Sequence, residues 1–538
     1  MYSTAIYGAA AVVLVAICVL RPVALYLLDP LDLRKYPSPS ILAALSSLWL
    51  MRETYYRRRS RAIHEAHRRL GPVIRVAPNQ LIFNEPQAVP DIYGHVAARK
   101  IVKDVFYDSM AGAHRSLVTA RDHEEHGRKR RYLSNVFALR TIVEMEPVIR
   151  NNIGHLLRKM DEFCEQACDS AFETTKGGVE TKSTRVLDMR NWFNYFTLDV
   201  IADMAFGISM GFVETGSDQC YGETKEGTKY AIPSFVPMLH KGIRYSLTLA
   251  QLVDVGHNKL AKSVTSCSRW LRKVTGMAAA VDYENFCRNH LKKRLAAGAP
   301  DRRCRDFMDR VIRDREGVDR KLPFGELMAD TSNMMNAGSE TTAAALCSTL
   351  WFLVSNPSCF QKLRAEIDER IRPDDPESIV PYDRIRDARY LRACIDEAMR
   401  LRPPIGYALQ RLVVDPSGAT IAGRHVRQGT VVAVSPVTIQ RNETLYPEPD
   451  RYNPDRWLDE SNPQQISALK TFDIVFSQGP RACIGRHLAI VEMQILISSL
   501  VRRYDFRLCE DGQDLKTLDL FNANPGPLPL QVRRRELK

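Results

Sequence analysis

The chain places one cysteine in a short loop that is bracketed by glycines and stands directly before an amphipathic helical pattern. The loop reads Phe476-Ser-Gln-Gly479-Pro-Arg481-Ala-Cys483-Ile-Gly485. Glycine lets a backbone approach a flat ligand closely and adopt a positive φ. Backbone N–H groups at a helix N-terminus stabilise an anionic sulfur, and the nearby arginine suits an anionic ligand group. Because five defined positions serve one chemical task, we favour this interpretation over a buried cysteine in an ordinary loop.

This loop resembles the heme-binding loop of the cytochrome P-450 superfamily, Phe-x-x-Gly-x-Arg-x-Cys-x-Gly, at every defined position. The resemblance implies that the thiolate of Cys483 is the axial ligand of a heme b iron. It also implies that Phe476, Gly479, Arg481 and Gly485 bind the cofactor. A thiolate donor pushes electron density towards oxygen and favours O–O cleavage. The fold implied is mainly α (α+β), a large helical domain with a small β-sheet region.

Two further segments match the family in the expected order. Glu397-Ala-Met-Arg400 resembles its Glu-x-x-Arg motif, and residues three apart on a helix lie on one face and can pair. Such pairs are also common on solvated helix faces. Pro454-Asp-Arg456-Trp457 resembles the turn that supplies a second arginine, with tryptophan where phenylalanine is more frequent. By the resemblance, Glu397, Arg400 and Arg456 form a structural cluster that does not touch substrate.

A long helical pattern from about 324 to 354 contains Ala337-Gly338-Ser-Glu340-Thr341. A glycine inside a helix costs about 1 kcal/mol relative to alanine, so Gly338 is expected to permit the close approach of a ligand. The segment resembles the family motif Ala/Gly-Gly-x-Asp/Glu-Thr. By that match, Glu340 and Thr341 are catalytic and deliver protons during oxygen activation. The alternative is a Ser/Thr-rich helical turn that bonds its own carbonyls.

Two shorter matches concern the heme propionates. His126 and Arg130 are four residues apart, which puts them on one helix face, and they resemble a propionate-binding pair of the family. Arg411 resembles the arginine that reaches a propionate from the small sheet. The alternatives are a basic solvated helix and an ordinary cation at a strand edge.

The N-terminus predicts a membrane anchor. Residues 1–20 carry no charged side chain, and about 20 apolar residues span a hydrocarbon core of roughly 30 Å. No Lys or Arg precedes Arg21, which disfavours a cleaved signal peptide. The basic residues that follow place the body in the cytosol. We therefore expect a transmembrane anchor over 1–28, a linker with a Pro-rich hinge over 29–51, and a heme-thiolate monooxygenase domain over 52–538, in the endoplasmic reticulum membrane with the catalytic domain cytosolic.

The net charge and the cysteine pattern limit the classes of binding partner that we expect. The net charge is +13, but the basic residues are dispersed and no zinc-finger spacing occurs, so we expect membrane lipid or an acidic protein rather than nucleic acid. Twelve cysteines without a Cys-x-x-Cys pair argue against a disulfide framework. The sequence shows no flavin or nicotinamide fingerprint, so electrons from NADPH must come through a separate cytochrome reductase, with cytochrome b5 as a second candidate donor. Candidate docking residues are Arg128, Lys129 and Arg486.

Helical patterns dominate between about 122 and 401, and the Val-, Thr- and Gly-rich stretch 412–437 predicts short strands. Two polar stretches, 166–183 and 215–227, are expected to be a surface loop and a linker.

The resemblance implies a monooxygenase that inserts one oxygen atom from O2 into a hydrophobic small molecule. A fungal secondary metabolite is the favoured substrate, and an aromatic acid or another xenobiotic comes second. Rival functions are an oxygen-independent isomerase or dehydratase and a heme sensor or carrier, but the intact Glu340–Thr341 pair favours monooxygenation. Substrate recognition is expected in the following segments: 105–116, 232–249, the helix before Ala337, 405–409 and the region around Phe521.

Overall fold

The computed structural model describes residues 20–165, 186–251, 275–298, 306–371, 379–510 and 512–535. Helices dominate these residues, which confirms the prediction of a mainly α fold with small sheets. In chain order the helices are α1 (Arg21–Leu28), α2 (Ile41–Leu45), α3 (Leu48–Tyr55), α4 (Arg59–Leu70), α5 (Ala88–Tyr93), α6 (His123–Val136), α7 (Leu139–Glu144), α8 (Glu146–Glu165), α9 (Met189–Phe206), α10 (Phe212–Thr215), α11 (Phe235–Ala250), α12 (Met277–Ala297), α13 (Phe307–Ile312), α14 (Phe324–Ser355), α15 (Pro357–Arg370), α16 (Tyr382–Ile385), α17 (Arg389–Leu401), α18 (Pro436–Ile439), α19 (Pro463–Phe472) and α20 (Arg486–Arg503).

The strands are short and form several small sheets. The largest has five strands in the order β1-β2-β10-β7-β3, in which only β2 and β10 run parallel. A three-stranded sheet has the order β11-β14-β4, and three pairs complete the set. The strands are β1 (Val73–Ala77), β2 (Gln80–Phe83), β3 (Ile101–Lys103), β4 (Val186–Asp188), β5 (Cys220–Glu223), β6 (Lys229–Ile232), β7 (Arg411–Val413), β8 (Ala419–Ile421), β9 (Arg424–Val426), β10 (Val431–Val434), β11 (Tyr504–Leu508), β12 (Thr517–Asp519), β13 (Ala523–Pro525) and β14 (Pro529–Arg534).

The long helix α14 forms the centre of the helical domain. Most of its residues are buried, and it packs against α9, α12, α17 and α20. A helix that is apolar on nearly all sides is stable only when other elements surround it. The segment with Glu340 and Thr341 therefore lies deep in the protein, beside the helix that follows the cysteine loop.

The N-terminal predictions are covered only in part. Of the expected anchor over 1–28, residues 1–19 lie outside the described residues, and the rest contains α1. Within the expected linker, the Pro37 carbonyl accepts from the Arg75 N–H at 2.8 Å and Ser38 Oγ donates to the Arg75 carbonyl at 2.8 Å. That part of the linker is attached to β1. Over the described ranges, no single helix is long and apolar enough to span a membrane, while the bent pair formed by α14 and α15 meets the length and composition criteria together.

The predictions for the two polar stretches differ in how the structure bears on them. The stretch 166–183 lies outside the described residues. The expected linker over 215–227 contains β5, which pairs antiparallel with β6 from Cys220 opposite Ile232 to Glu223 opposite Lys229. The prediction of a plain linker was wrong here because the partner strand, and not the local composition, determines the extended conformation.

The predicted cluster of Glu397, Arg400 and Arg456 is present and buried. Both carboxylate oxygens of Glu397 accept from Arg400, at 2.8 and 2.9 Å. Arg456 Nε donates to the same carboxylate at 2.9 Å, and so do Trp457 Nε1 and the Asn453 N–H, each at 3.0 Å. A buried ion pair is tolerated only when its remaining donors and acceptors are satisfied. This carboxylate meets that condition and ties α17 to the irregular segment before the cysteine loop.

Replacement of Glu397 by alanine should destabilise the fold strongly. The change leaves the Arg400 guanidinium buried without its counter-charge, which typically costs about 3–5 kcal/mol. Thermal unfolding of the purified protein measures the effect. Glu65→Ala is the matched control, because Glu65 pairs with Arg61 on an exposed helix face and such pairs contribute under about 1 kcal/mol. Equal melting temperatures for the two variants would contradict a structural role of the cluster.

Candidate active site

The cysteine loop lies between α19 and α20 and is fixed by its own backbone. The Cys483 N–H donates to the Phe476 carbonyl at 2.8 Å, which closes the loop. Gly479 has φ of +64°, and a Cβ there would collide with the carbonyl oxygen of Tyr93. Both the left-handed conformation and the close backbone contact therefore require glycine at this position. The Cys483 side chain is accessible at its surface, yet protein atoms surround it closely enough to desolvate the sulfur.

Opposing effects act on the Cys483 thiol. Desolvation raises the pKa of Cys483, while the Gly485 N–H and the charges of Arg130 and Arg486 oppose the rise. Backbone N–H groups at the start of α20 and two guanidinium groups thus favour the thiolate over what burial alone would give. These are the surroundings expected of a sulfur that binds a metal in its anionic form.

Two arginines hold the loop against α6 and the segment before it. Arg130 Nη1 donates to the Ala482 carbonyl at 2.8 Å. Arg481 reaches in the opposite direction and donates to the carbonyls of Ala120, at 2.7 Å, and Arg121, at 2.8 Å. The structure therefore brings the predicted residues Arg130 and Arg481 together at the cysteine loop.

A cluster of four cations (Lys103, Arg130, Arg411 and Arg481) surrounds this contact, and sequence reasoning missed Lys103. Burial and the neighbouring charges of Arg481, Arg411 and Arg130 hold the pKa of Lys103 well below its usual value. Burial, followed by the charge of Arg411, lowers the pKa of Arg481 to about 10. Over the described ranges, no carboxylate forms an ion pair with any of the four. Lys103 and Arg411 are buried and the other two are partly buried. Like charges held together without counter-ions are unfavourable, so an anionic ligand would stabilise this cluster.

The donor set fits a heme. One exposed cysteine sulfur lies in the loop, and a heme carries two propionates that would satisfy the uncompensated cations. Arg411 Nη1 also donates to Tyr107 Oη at 3.3 Å, so the hydroxyl helps to position this guanidinium. The sequence around Lys103 contains no motif that would identify it as a ligand of the cofactor. It is the last residue of the short strand β3 and approaches the three arginines only in the folded chain.

His126 lies in the same region as a neutral ring. Burial, with the charges of Arg481, Lys103 and Arg130, lowers the pKa of His126 to about 3. It is buried on α6, as is Lys129. Lys129 donates to Glu326 at 2.9 Å and to Asp330 at 3.0 Å. The prediction that Lys129 is a surface docking residue was therefore wrong, because it forms an internal bridge between α6 and α14.

The predicted catalytic segment of α14 has one open and one closed side. Ala337 is exposed and Thr341 partly exposed, although both lie within a mostly buried helix. Thr341 Oγ1 donates to the Ala337 carbonyl at 2.7 Å. Gly338 lies on another side, where a Cβ would come within 2.8 Å of Ile201 Cγ1 on α9. The observed close approach at Gly338 is thus to a neighbouring helix, and its expected approach to a ligand stays a prediction.

Glu340 belongs to a buried polar network. Its Oε2 lies 2.6 Å from His240 Nε2 on α11 and accepts from Arg190 Nη2 of α9 at 3.3 Å. Asn524 in β13 lies 3.1 Å from the same histidine nitrogen. Burial alone would raise the pKa of Glu340, but His240 and Arg190 hold it below its usual value. The carboxylate is therefore charged, and its other oxygen, Oε1, is buried without a hydrogen-bond partner.

Four of the five expected recognition segments meet in one apolar cluster. Phe106 and Tyr407 stack with centroids 5.1 Å apart, and Tyr407 and Phe521 stack at 5.4 Å. Tyr107, which accepts from Arg411, joins this cluster to the cationic one. The cluster contains Phe106, Tyr107 and Met110 from the first segment, Ile243 and Leu247 from the second, Ile405 and Tyr407 from the fourth, and Phe521.

Comparisons with known proteins agree with this site. The family model Cytochrome P450 matches residues 37–532. Similar curated proteins include benzoate 4-monooxygenase of Aspergillus niger, 29% identical over 94% of this chain and 93% of the relative. Cytochrome P450 monooxygenase ORF11 of Penicillium roqueforti is 31% identical over 90% and 91%, and averantin hydroxylase of Dothistroma septosporum is 29% identical over 88% and 81%. The chain therefore belongs to the cytochrome P-450 family of heme-dependent monooxygenases, which use O2 and electrons derived from NADPH.

Proposed function

We propose that this monooxygenase hydroxylates a hydrophobic small molecule in fungal secondary metabolism. The main support is the apolar and aromatic cluster in which Phe106, Tyr407 and Phe521 meet beside the cationic site. Binding pockets for small molecules are typically apolar, with few polar groups that fix orientation. The similar proteins come from fungi, and one is named for the hydroxylation of averantin.

A second candidate is an aromatic acid. Its support is the similarity, over 94% of the chain, to a protein named benzoate 4-monooxygenase. The stacked rings of Phe106, Tyr407 and Phe521 suit a planar substrate. The two candidates differ in charge, because an aromatic acid brings a carboxylate into the pocket.

The proposed roles follow from the positions of the residues. Heme bound through Cys483 would supply the iron at which O2 is activated, and Lys103, Arg130, Arg411 and Arg481 would neutralise its propionates. The Thr341 hydroxyl donates to the Ala337 carbonyl, so its oxygen lone pairs can accept a hydrogen bond from water. Glu340 is charged and held by His240 and Arg190. It is the proposed proton carrier at the closed side of α14, and it would exchange protons with His240 on α11.

The proposal also includes the membrane and the electron donor. The N-terminal anchor places the enzyme in the endoplasmic reticulum membrane with the catalytic domain in the cytosol, next to an NADPH-dependent reductase. Arg486 is exposed at the start of α20 and lies over the Phe476 ring at 5.6 Å from its centroid. Arg128 is about half exposed and bonds to Glu326. Arg486 and Arg128 are therefore the accessible docking candidates, whereas Lys129 is buried.

Lys103→Met should accelerate heme loss. The variant removes a propionate-binding cation but keeps an apolar chain of similar length. A hydrogen bond to a charged group contributes about 1.5–3 kcal/mol, so the dissociation rate should rise about tenfold or more. Transfer of heme to apomyoglobin measures this rate. Lys100→Met is the control, since Lys100 is exposed and only three residues away, and equal rates for both variants would exclude a role of Lys103 in heme binding.

Thr341→Ala should uncouple electron consumption from product formation. Without the hydroxyl, proton delivery fails, so the product formed per NADPH should fall about a hundredfold while hydrogen peroxide release rises. Both products are measured with a reconstituted reductase. Thr349→Ala is the matched control, because Thr349 makes the same bond to the carbonyl four residues earlier, at 2.8 Å, but is fully buried. Normal coupling in the Thr341 variant would refute the relay.

Arg486→Glu should weaken reductase docking without changing the chemistry of the site. Charge reversal at an electrostatic interface lowers the association rate, so the reductase concentration for half-maximal turnover should rise about tenfold. Turnover driven by an organic hydroperoxide bypasses the reductase and should stay unchanged. Arg140→Glu serves as the control, since Arg140 is 92% exposed on α7. An unchanged requirement for reductase in the Arg486 variant would exclude this surface.

A further inference from the structure

A buried guanidinium without a hydrogen-bond partner lies against the proposed substrate pocket. Arg59 is the first residue of α4 and is 1% exposed. Its three nitrogens, Nε, Nη1 and Nη2, are buried, and none of them has a partner among the described residues. Buried polar groups are nearly always hydrogen-bonded, and a buried charge requires compensation more strongly than a neutral group does.

The guanidinium rests on the aromatic cluster. Its central carbon lies 3.7 Å from the centroid of the Tyr407 ring. That ring stacks on Phe106 and on Phe521 and is held at its hydroxyl by Gln251 at 3.0 Å. A cation over a tyrosine face is attracted to it, but the ring offers no in-plane acceptor to the N–H groups.

The nearby carboxylate of Asp519 is already used elsewhere. Its Oδ1 accepts from Ser60 Oγ at 2.9 Å and its Oδ2 from the Ser60 N–H. The Arg61 N–H also bonds to it. Asp519 thus binds the first turn of α4 and contributes charge, but no hydrogen bond, to Arg59.

We propose that Arg59 binds a carboxylate of the substrate, so that the enzyme prefers hydrophobic acids to their neutral analogues. This inference rests on the proposed function and specifies the class of substrate. A carboxylate matches the planar donor fork of a guanidinium with two parallel hydrogen bonds. The guanidinium is covered, so a ligand reaches it after a neighbouring ring moves. Phe521, in the turn between β12 and β13, is the partly exposed ring of the stack.

The test compares acids with neutral molecules of the same shape. Wild type, Arg59→Met and Arg59→Lys are titrated with para-alkyl benzoates, phenylalkanoates and medium-chain fatty acids, and with the primary amide of each. Dissociation constants are taken from the spin-state shift of the heme and checked by calorimetry. Wild type should bind at least one acid about tenfold or more tightly than its amide. Arg59→Met should lose this preference while its affinity for the amide changes less than twofold.

Controls separate binding from folding and from unspecific charge effects. Arg61→Met removes an exposed cation from the same helix and should keep the preference. Inorganic phosphate should not compete with the acid, and equal competition would identify a general anion site instead. If Arg59→Met does not fold, Arg59→Lys decides, since it keeps the charge but not the fork and should retain a reduced preference.

Two outcomes would overturn the proposal. One is a wild type that binds no acid of the panel more tightly than its amide. The other is a folded Arg59→Met variant with an unchanged preference, which would assign Arg59 to internal packing with Tyr407 and Asp519. Failure of the proposed function is a separate result, because it would show as loss of the red-shifted thiolate band in the reduced carbon-monoxide spectrum of the wild type.

Discussion

The position of Cys483 depends on hydrogen bonds that two partly buried arginines donate to backbone carbonyls. Arg130 binds the carbonyl next to the cysteine, and Arg481 binds the segment before α6. Each arginine thereby fixes the loop and brings a positive charge to the side where a heme carries its propionates. Lys103 and Arg411 are close by and also lack carboxylate partners among the described residues, so an anionic cofactor would offset the charge of the arginines that position the sulfur. The same arginines therefore contribute both to the geometry of the loop and to the binding of the cofactor.

The polar network around Glu340 connects the segment proposed to activate oxygen to two elements in or next to the segments proposed to recognise substrate. Glu340 lies on α14, His240 on α11 and Asn524 in β13, and all three meet at one imidazole nitrogen. That nitrogen cannot donate to Glu340 and accept from the Asn524 amide at once. Reversal of the amide would turn its unpartnered oxygen towards the histidine, and the single Nε2–H would then be shared between two acceptors, Glu340 and Asn524. A displacement of α11 on substrate binding would then change the surroundings of the carboxylate directly.

Much of this site could be predicted from sequence because its motifs are local. The cysteine loop, the Glu397–Arg400 pair and the long helix with Thr341 each depend on short spacings that a linear pattern reveals. Lys103, His240 and Arg59 could not be predicted, since each acquires its role only through contacts across the fold. The two incorrect predictions, for Lys129 and for the stretch that contains β5, also arise from contacts between distant parts of the chain. Lys129 was expected at the surface from a basic run, but Glu326 and Asp330 on α14 bury it, and β5 forms because β6 pairs with it.

Two buried arginines differ in whether their hydrogen-bond donors have acceptors within the protein. This difference distinguishes a structural arginine from one that is available to a ligand. Arg400 is fully buried, yet its donors bind Glu397 and the carbonyls of Gln440 and Pro449, so its charge is neutralised and no capacity for a ligand remains. Arg59 is equally buried and lies on a tyrosine ring, but its donors have no acceptor in the described chain. Burying a cation without hydrogen bonds is unfavourable enough that a fold retains it only if something else compensates. Beside a cluster of apolar and aromatic side chains, a substrate carboxylate would provide that compensation and would let the enzyme discriminate between substrates by charge.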